Sequence, residues 1–241
     1  MKKRILYSLL IVLSYEIIYS CSKDNSSSDN NNNVVIYKVP VYIAAEYVAL
    51  AFGNTTGGIN YHLENGATFT AKGRNSFDST INFKDSTLGV KSQYLMDYSF
   101  LRPVTSPPKT TLGFSSNGAF ATKSMQSQDS HNGNNWSYTT LDQPQYTVKG
   151  TGGITGDQYA VPDKVAFTSI IHYTLNNVMM DANTHKAVSG SISITIGGNG
   201  PANISYSYSG SLTFLGDRKA TLLLGGSTFP VDFDSKATLK K

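Results

Sequence analysis

Four histidines are the side chains of this sequence best suited to metal binding or proton transfer: His62, His131, His172 and His185. No two of them are two or four positions apart, so the sequence contains no local zinc motif. His172 falls on the polar side of an alternating segment, and His131 and His185 lie in turn-like sequence. We therefore predict solvent-exposed histidines, with no metal and no cofactor. A site assembled from distant histidines is the alternative.

Paired carboxylates, which most glycosidases require, do not stand out. Beyond residue 20 the glutamates are Glu46 and Glu64, and the 13 aspartates mostly neighbour Ser, Asn or Gly, where turns favour aspartate. Residues 113–118 lack the spacing of a nucleophile elbow. Residues 129–135 lack the ligands of a calcium loop and instead predict a solvated loop. We predict that the chain is not an enzyme. A hydrolase whose site is assembled from separate loops is an alternative.

Cys21 is the sole cysteine, so no disulfide can form within the chain. It follows a basic start at residues 2–4 and an apolar run over residues 5–13. That run is shorter than the roughly 20 residues that span a bilayer. Residues 1–20 therefore predict a signal peptide.

The residues before the cysteine read Ile18-Tyr19-Ser20, an aliphatic, a variable and a small residue. This pattern resembles the lipobox of bacterial lipoproteins. The resemblance implies that the Cys21 thiol receives a diacylglyceryl group, that the signal peptide is removed before Cys21, and that the new amino terminus is acylated, as with palmitate. Stable anchoring takes two or more chains, since each buried methylene contributes roughly 0.8 kcal/mol.

Ser22-Lys23-Asp24 follows the cysteine and resembles the short acidic export signal of surface lipoproteins in the Bacteroidota. The resemblance implies a lipid-anchored protein of the outer membrane, facing either side, with cell-surface exposure as one of the two alternatives. Because Ser22 rather than aspartate follows the cysteine, the usual signal for inner-membrane retention is absent.

The composition divides the chain after residue 33. Residues 21–33 predict the lipidated cysteine and a flexible tether, because their polar low-complexity sequence cannot bury a core; such a chain spans roughly 20 Å. Residues 34–241 predict a single β-rich domain. Beyond residue 20 there are 17 basic and 15 acidic residues, with no dense basic patch, so nucleic acid is not a predicted partner.

Residues 41–52 predict one short helix, with Pro40 suited to its first turn and Gly53 to its C-terminal cap. A continued strand is the alternative, since Val41 and Ile43 also alternate with other residues. The chain beyond contains strand candidates separated by turns rich in Asn, Gly and Ser. They are residues 67–74, 93–101, 110–122, 135–141 and 145–151.

The C-terminal third has the clearest pattern, because apolar and polar residues alternate over residues 192–196 and again in the next strand. Gly210 interrupts that next strand and predicts a bulge or a bend. Gly225-Gly226 predicts a hairpin turn, and Pro230 predicts that the last strand is an edge. The predicted fold is mainly β, an antiparallel meander closing as a sandwich or barrel with one short N-terminal helix.

These features together predict a membrane-anchored envelope lipoprotein that acts as a non-enzymatic binding or structural module. Its predicted partners are the membrane, through the lipid anchor, and a glycan, a protein or a hydrophobic ligand. Trp136 and Tyr138 have the side chains to stack on sugar rings, although alternate strand positions are more typical of core residues. The alternative function is a carrier that holds a lipid or other hydrophobic ligand inside a β-barrel.

Overall fold

Ten strands follow one another in a single antiparallel sheet, in which each strand pairs with the next along the chain. The computed structural model describes residues 38–53, 55–70, 76–86, 89–101 and 109–234. The mainly β antiparallel meander is confirmed. The predictions for residues 1–37, Cys21 among them, lie outside the described residues. The strands are β1 Ser76–Asp85, β2 Lys91–Leu101, β3 Lys109–Ala121, β4 Met125–Thr139, β5 Gln145–Ala160, β6 Val165–Asp181, β7 Ala187–Asn199, β8 Ser205–Gly216, β9 Lys219–Leu224 and β10 Ser227–Asp232.

The predicted helix is confirmed as α1, Val41–Ala51, and all its residues except Val41, Tyr42 and Glu46 are buried. A mostly apolar helix belongs in an interior, and this one carries alanine, valine, leucine and isoleucine on most of its surface, with Glu46 on its partly exposed face. Tyr47 of α1 contacts Phe120 of β3 and Phe167 of β6. The same helix also packs against β9 and β10. The sheet therefore curls around α1.

The curled sheet is not closed by hydrogen bonds, since β1 and β10 are its two edges. Because the sheet is open at its edges and its interior is filled by α1, it fits the predicted sandwich or barrel only loosely. Irregular pairing helps the sheet to bend, because a bulge increases local twist. Register shifts occur between Leu112 and Phe114, Asn134 and Ser137, Val148 and Gly150, and Asn176 and Met179.

A second helix, α2, covers Ile59–Thr70, and the predicted strand over residues 67–74 is wrong for residues 67–70. Ile59 and Leu63 lie one helical turn apart and are both fully buried. Gly66 fits tightly against β4, because a Cβ there would overlap the hydroxyl of Tyr138. Packing against the sheet therefore stabilises a helix that its glycine and asparagines would not form alone. Residues 71–74 lie outside the described residues.

Gly210 does not mark a bulge. It pairs in register with Ile194 of β7, and a Cβ at this position would overlap the carbonyl oxygen of Leu223 in β9. The glycine instead permits close approach of two backbones. The predicted turn at Gly225-Gly226 is confirmed, with φ values of 56° and 83°, and Pro230 lies on the edge strand β10 as predicted.

Candidate functional site

The most unusual group of side chains inside the curl surrounds Asp129, an aspartate that is only 4 % exposed. Strand β4 alternates strictly from Met125 to Gly133, so Ser127, Asp129 and His131 all face the interior. Burying a carboxylate is costly unless it is paired and hydrogen-bonded. The neighbours of Asp129 must therefore supply donors.

Four donors meet the Asp129 carboxylate. Oδ1 accepts from the Tyr94 hydroxyl at 2.5 Å and pairs with Nε2 of His131 at 3.0 Å. Oδ2 accepts from the Ser127 hydroxyl at 2.8 Å and from the Tyr47 hydroxyl at 3.2 Å. These donors come from α1, β2 and β4, so a single carboxylate joins the central helix to the sheet. We call Tyr47, Tyr94, Ser127, Asp129 and His131 the Asp129 cluster.

The electrostatics of the Asp129 cluster favour a charged carboxylate. Burial alone raises the pKa of Asp129, but the charge of His131 and the hydrogen bonds from His131, Tyr94 and Ser127 outweigh burial and lower it. Burial and the nearby Asp129 charge raise the pKa values of Tyr47 and Tyr94 well above the ordinary phenol value. Both phenols therefore stay protonated and remain donors.

His62 of α2 lies beside the Asp129 cluster, with its ring centroid 6.3 Å from that of His131. Its Nδ1 is 2.7 Å from the Tyr98 hydroxyl, and its ring stacks on Phe114 at 3.9 Å between centroids. Burial lowers the pKa of His62, and the nearby His131 lowers it further. His62 is therefore a neutral imidazole in the core at neutral pH.

The remaining imidazole nitrogens lack hydrogen-bond partners. Nε2 of His62 and Nδ1 of His131 are buried without a partner in the described part of the chain, as is the Ser116 hydroxyl. Within the same residues, no three His, Cys, Asp or Glu side chains are grouped to hold a metal ion. An Asp–His couple can orient an imidazole and stabilise its protonated form. Here both side chains are fully buried, so the couple has no contact with solvent.

The structure corrects the prediction of exposed histidines at two of four positions. His62 and His131 are 0 % and 1 % exposed, whereas His172 is exposed, as predicted, and His185 is half-buried. Residues 129–135 belong to β4 and not to a solvated loop. The sequence could have revealed the burial of His131 through strand alternation, since residues 125, 127, 129 and 131 share one side of a strand. The polar residues at these inward positions concealed the alternation.

A surface depression of about 360 Å³ lies on β1, β2 and β3. Its lining includes the carboxylates of Asp78 and Asp97, and the Thr80 hydroxyl donates to Asp97 at 2.7 Å. It is shallow and open, and it lies on the other face of the strands that bear Tyr94 and Tyr98. Trp136 and Tyr138 do not contribute, because both are fully buried core residues.

Comparisons with known proteins give no further assignment: no family model, no curated protein and no solved structure matches this chain. None of the helices in the described residues is long and apolar enough to cross a membrane.

Proposed function

We propose that this chain is a lipid-anchored protein of the bacterial outer membrane whose β domain is a non-enzymatic binding or structural module. The observation that carries the proposal is the sequence around Cys21: a basic start, a short apolar run and Ile18-Tyr19-Ser20 directly before the sole cysteine. Lipid on this thiol would hold the domain at the membrane through two or more acyl chains.

The interior of the domain supports a structural or binding role over catalysis. Asp129 and His131 are the best acid–base couple in the described residues, and each side chain is 0 % exposed. A general base must come within hydrogen-bond reach of its substrate. Reaching this couple would require α1 or the sheet to move away. A partner would therefore bind on the outer surface, where the depression near Asp97 offers carboxylate and hydroxyl groups.

The same interior gives less support to a carrier of hydrophobic ligands. A barrel carrier holds its ligand in a central cavity. Here α1 occupies the centre, and Tyr47, Val48 and Leu50 are almost completely buried against the sheet. A lipid inside this curl would have to displace the helix. Mass spectrometry of lipid extracted from gently purified protein tests this alternative, and stoichiometric co-purified lipid would support it over the binding module.

Substitution of the cysteine tests the anchor directly. In cells fed a labelled fatty acid, we expect the natural chain to be labelled and to fractionate with the outer membrane. The Cys21→Ser form should carry no label and should fractionate with soluble proteins. A matched Ser20→Ala form keeps a small residue before the cysteine and should still be lipidated. Retention of the Cys21→Ser form in the membrane would refute the proposal.

A further inference from the structure

The chain enters the described domain at Lys38, and its first residues are fixed to one end of the curled sheet. The carbonyl oxygen of Val39 accepts a hydrogen bond from the Tyr208 hydroxyl at 2.7 Å. The Tyr42 hydroxyl donates to Asp163 at 2.6 Å. Asp163 lies between β5 and β6, and Tyr208 lies near the start of β8. The entry point of the domain is therefore defined by direct contacts.

Several strand connections meet at this same end. The backbone N–H of Val161 donates to the carbonyl oxygen of Ser124 at 2.9 Å, which joins the β3–β4 and β5–β6 connections. A Cβ on Gly200 would lie 2.9 Å from Val39, so the β7–β8 connection also packs on the chain entry. We define the tethered end as Lys38 together with residues 122–124, 161–164, 200–204 and 225–226.

Positive charge predominates on the tethered end. Lys38, Lys123 and Lys164 are all exposed there. The carboxylate within this set, Asp163, is partly buried and accepts the hydrogen bond from Tyr42. Ile204 is 38 % exposed and adds an apolar side chain to the same surface. Exposed lysines and an exposed apolar residue at one end of the domain match a surface of anionic lipid headgroups.

We propose that the tethered end docks on the anionic lipid surface in which the chain is anchored. This inference rests on the proposed lipidation of Cys21. Residues 21–37 span at most about 60 Å even when fully extended, so the lysines remain within reach of the headgroups and docking is an intramolecular event at high effective concentration. Each lysine brought close to an anionic surface raises the ratio of docked to undocked molecules about fivefold.

Docking in this orientation determines which surface meets other partners. The β6–β7 and β8–β9 connections lie at the opposite end of the strands, where Leu215 is 64 % exposed. That end would point away from the lipid. A partner of the binding module would then approach the end that carries Leu215 or the outer side of the sheet.

Fluorescence quenching on the full lipidated protein in vesicles tests the orientation. The Cys21 thiol is consumed by lipidation, so a cysteine introduced by Ile204→Cys or Leu215→Cys is the free thiol for a bimane label. In vesicles containing phosphatidylglycerol, a nitroxide on the lipid headgroup should quench the label at position 204 more strongly than the label at position 215. Neutral phosphatidylcholine vesicles should remove the difference.

Charge reversal provides the matched control. The Lys123→Glu, Lys164→Glu double variant should lower the docked-to-undocked ratio at least about 25-fold. The Lys109→Glu, Lys149→Glu variant changes the net charge equally at exposed positions away from the tethered end and should leave the ratio unchanged. Equal quenching at both labels in anionic vesicles, or a preference that survives the Lys123/Lys164 reversal, would overturn the docking. Failure to float with any vesicle would instead refute the anchor, and with it the docking that depends on it.

Discussion

His131 pairs with Asp129 at 3.0 Å between Nε2 and Oδ1, with both side chains fully buried inside the curled sheet. The pair lies two residues apart on β4, so both side chains point inward from the same strand. A carboxylate at this depth is stabilised only by its donors, and it therefore couples the position of α1 to that of the sheet. The pair therefore has a structural role in the domain, because it helps to hold α1 in place against the sheet.

Replacing the buried carboxylate should destabilise the fold strongly. Asp129→Asn keeps one acceptor oxygen but removes the charge that holds Tyr94, Ser127 and His131. Removing one partner of a buried pair costs about 3–5 kcal/mol. We expect a loss of about 3 kcal/mol in the free energy of unfolding, measured by urea denaturation. Asp157→Asn, at an exposed position on β5, is the control and should stay within about 0.5 kcal/mol. Equal losses in the two variants would contradict this role.

The two tyrosines should contribute unequally to the Asp129 cluster. Tyr94 donates to the carboxylate at 2.5 Å and Tyr47 at 3.2 Å, and shorter bonds to a charged group are stronger. Tyr94→Phe should lower the free energy of unfolding by about 2 kcal/mol and Tyr47→Phe by about 1 kcal/mol. Urea denaturation of both variants tests the order. In the Asp129→Asn background the difference between them should shrink, and a reversed order would show that the distances do not govern the energies.

Stability should fall on mild acidification because of His62. Its lowered pKa in the folded state means that the unfolded chain binds a proton more readily than the folded chain. Below the unfolded pKa of about 6.5, protonation therefore favours unfolding, and stability decreases as the pH falls towards the folded pKa. The urea midpoint at pH 5.5 should lie below that at pH 7.5.

Variants separate the contribution of His62 from that of other groups. His62→Gln should flatten the dependence between pH 7.5 and 5.5, whatever its effect on absolute stability, and His172→Gln at an exposed position should not. Asp129 affects stability in a lower pH range than His62 does. Its lowered pKa gives stability that is present above the unfolded value of about 3.9 and is lost as the pH falls through the folded value. An unchanged slope in His62→Gln would contradict the assignment.

The sequence predicted elements whose side chains alternate cleanly between apolar and polar, and missed those that depend on tertiary contacts. The inward residues of β2, Tyr94 and Met96 among them, are buried as parity required. In β4 the inward positions hold Ser127, Asp129 and His131, so a polarity pattern alone indicates a loop. Their partners come from strands and helices distant in sequence, and only the folded chain brings them together.

The helix α2 was missed for a related reason. Its sequence contains asparagines, threonines and Gly66, which are weak helix formers. Gly66 nevertheless suits its position, because a Cβ there would crowd the Tyr138 hydroxyl and a methyl group of Leu112. The lipid anchor remains a prediction from the residues around Cys21.

Gly210 gives a test of the close approach between β8 and β9. A Cβ at this position would overlap the backbone carbonyl of Leu223, which cannot rotate away as a side chain could. Gly210→Ala should therefore lower the free energy of unfolding by about 3 kcal/mol or more, since overpacking forces the backbones apart. Gly113→Ala is the matched control, because the nearest atom to its Cβ would be the carbonyl oxygen of Gly133 at 3.9 Å. Urea denaturation should show little change for Gly113→Ala, and a Gly210→Ala protein as stable as this control would mean that the strands lie further apart than described.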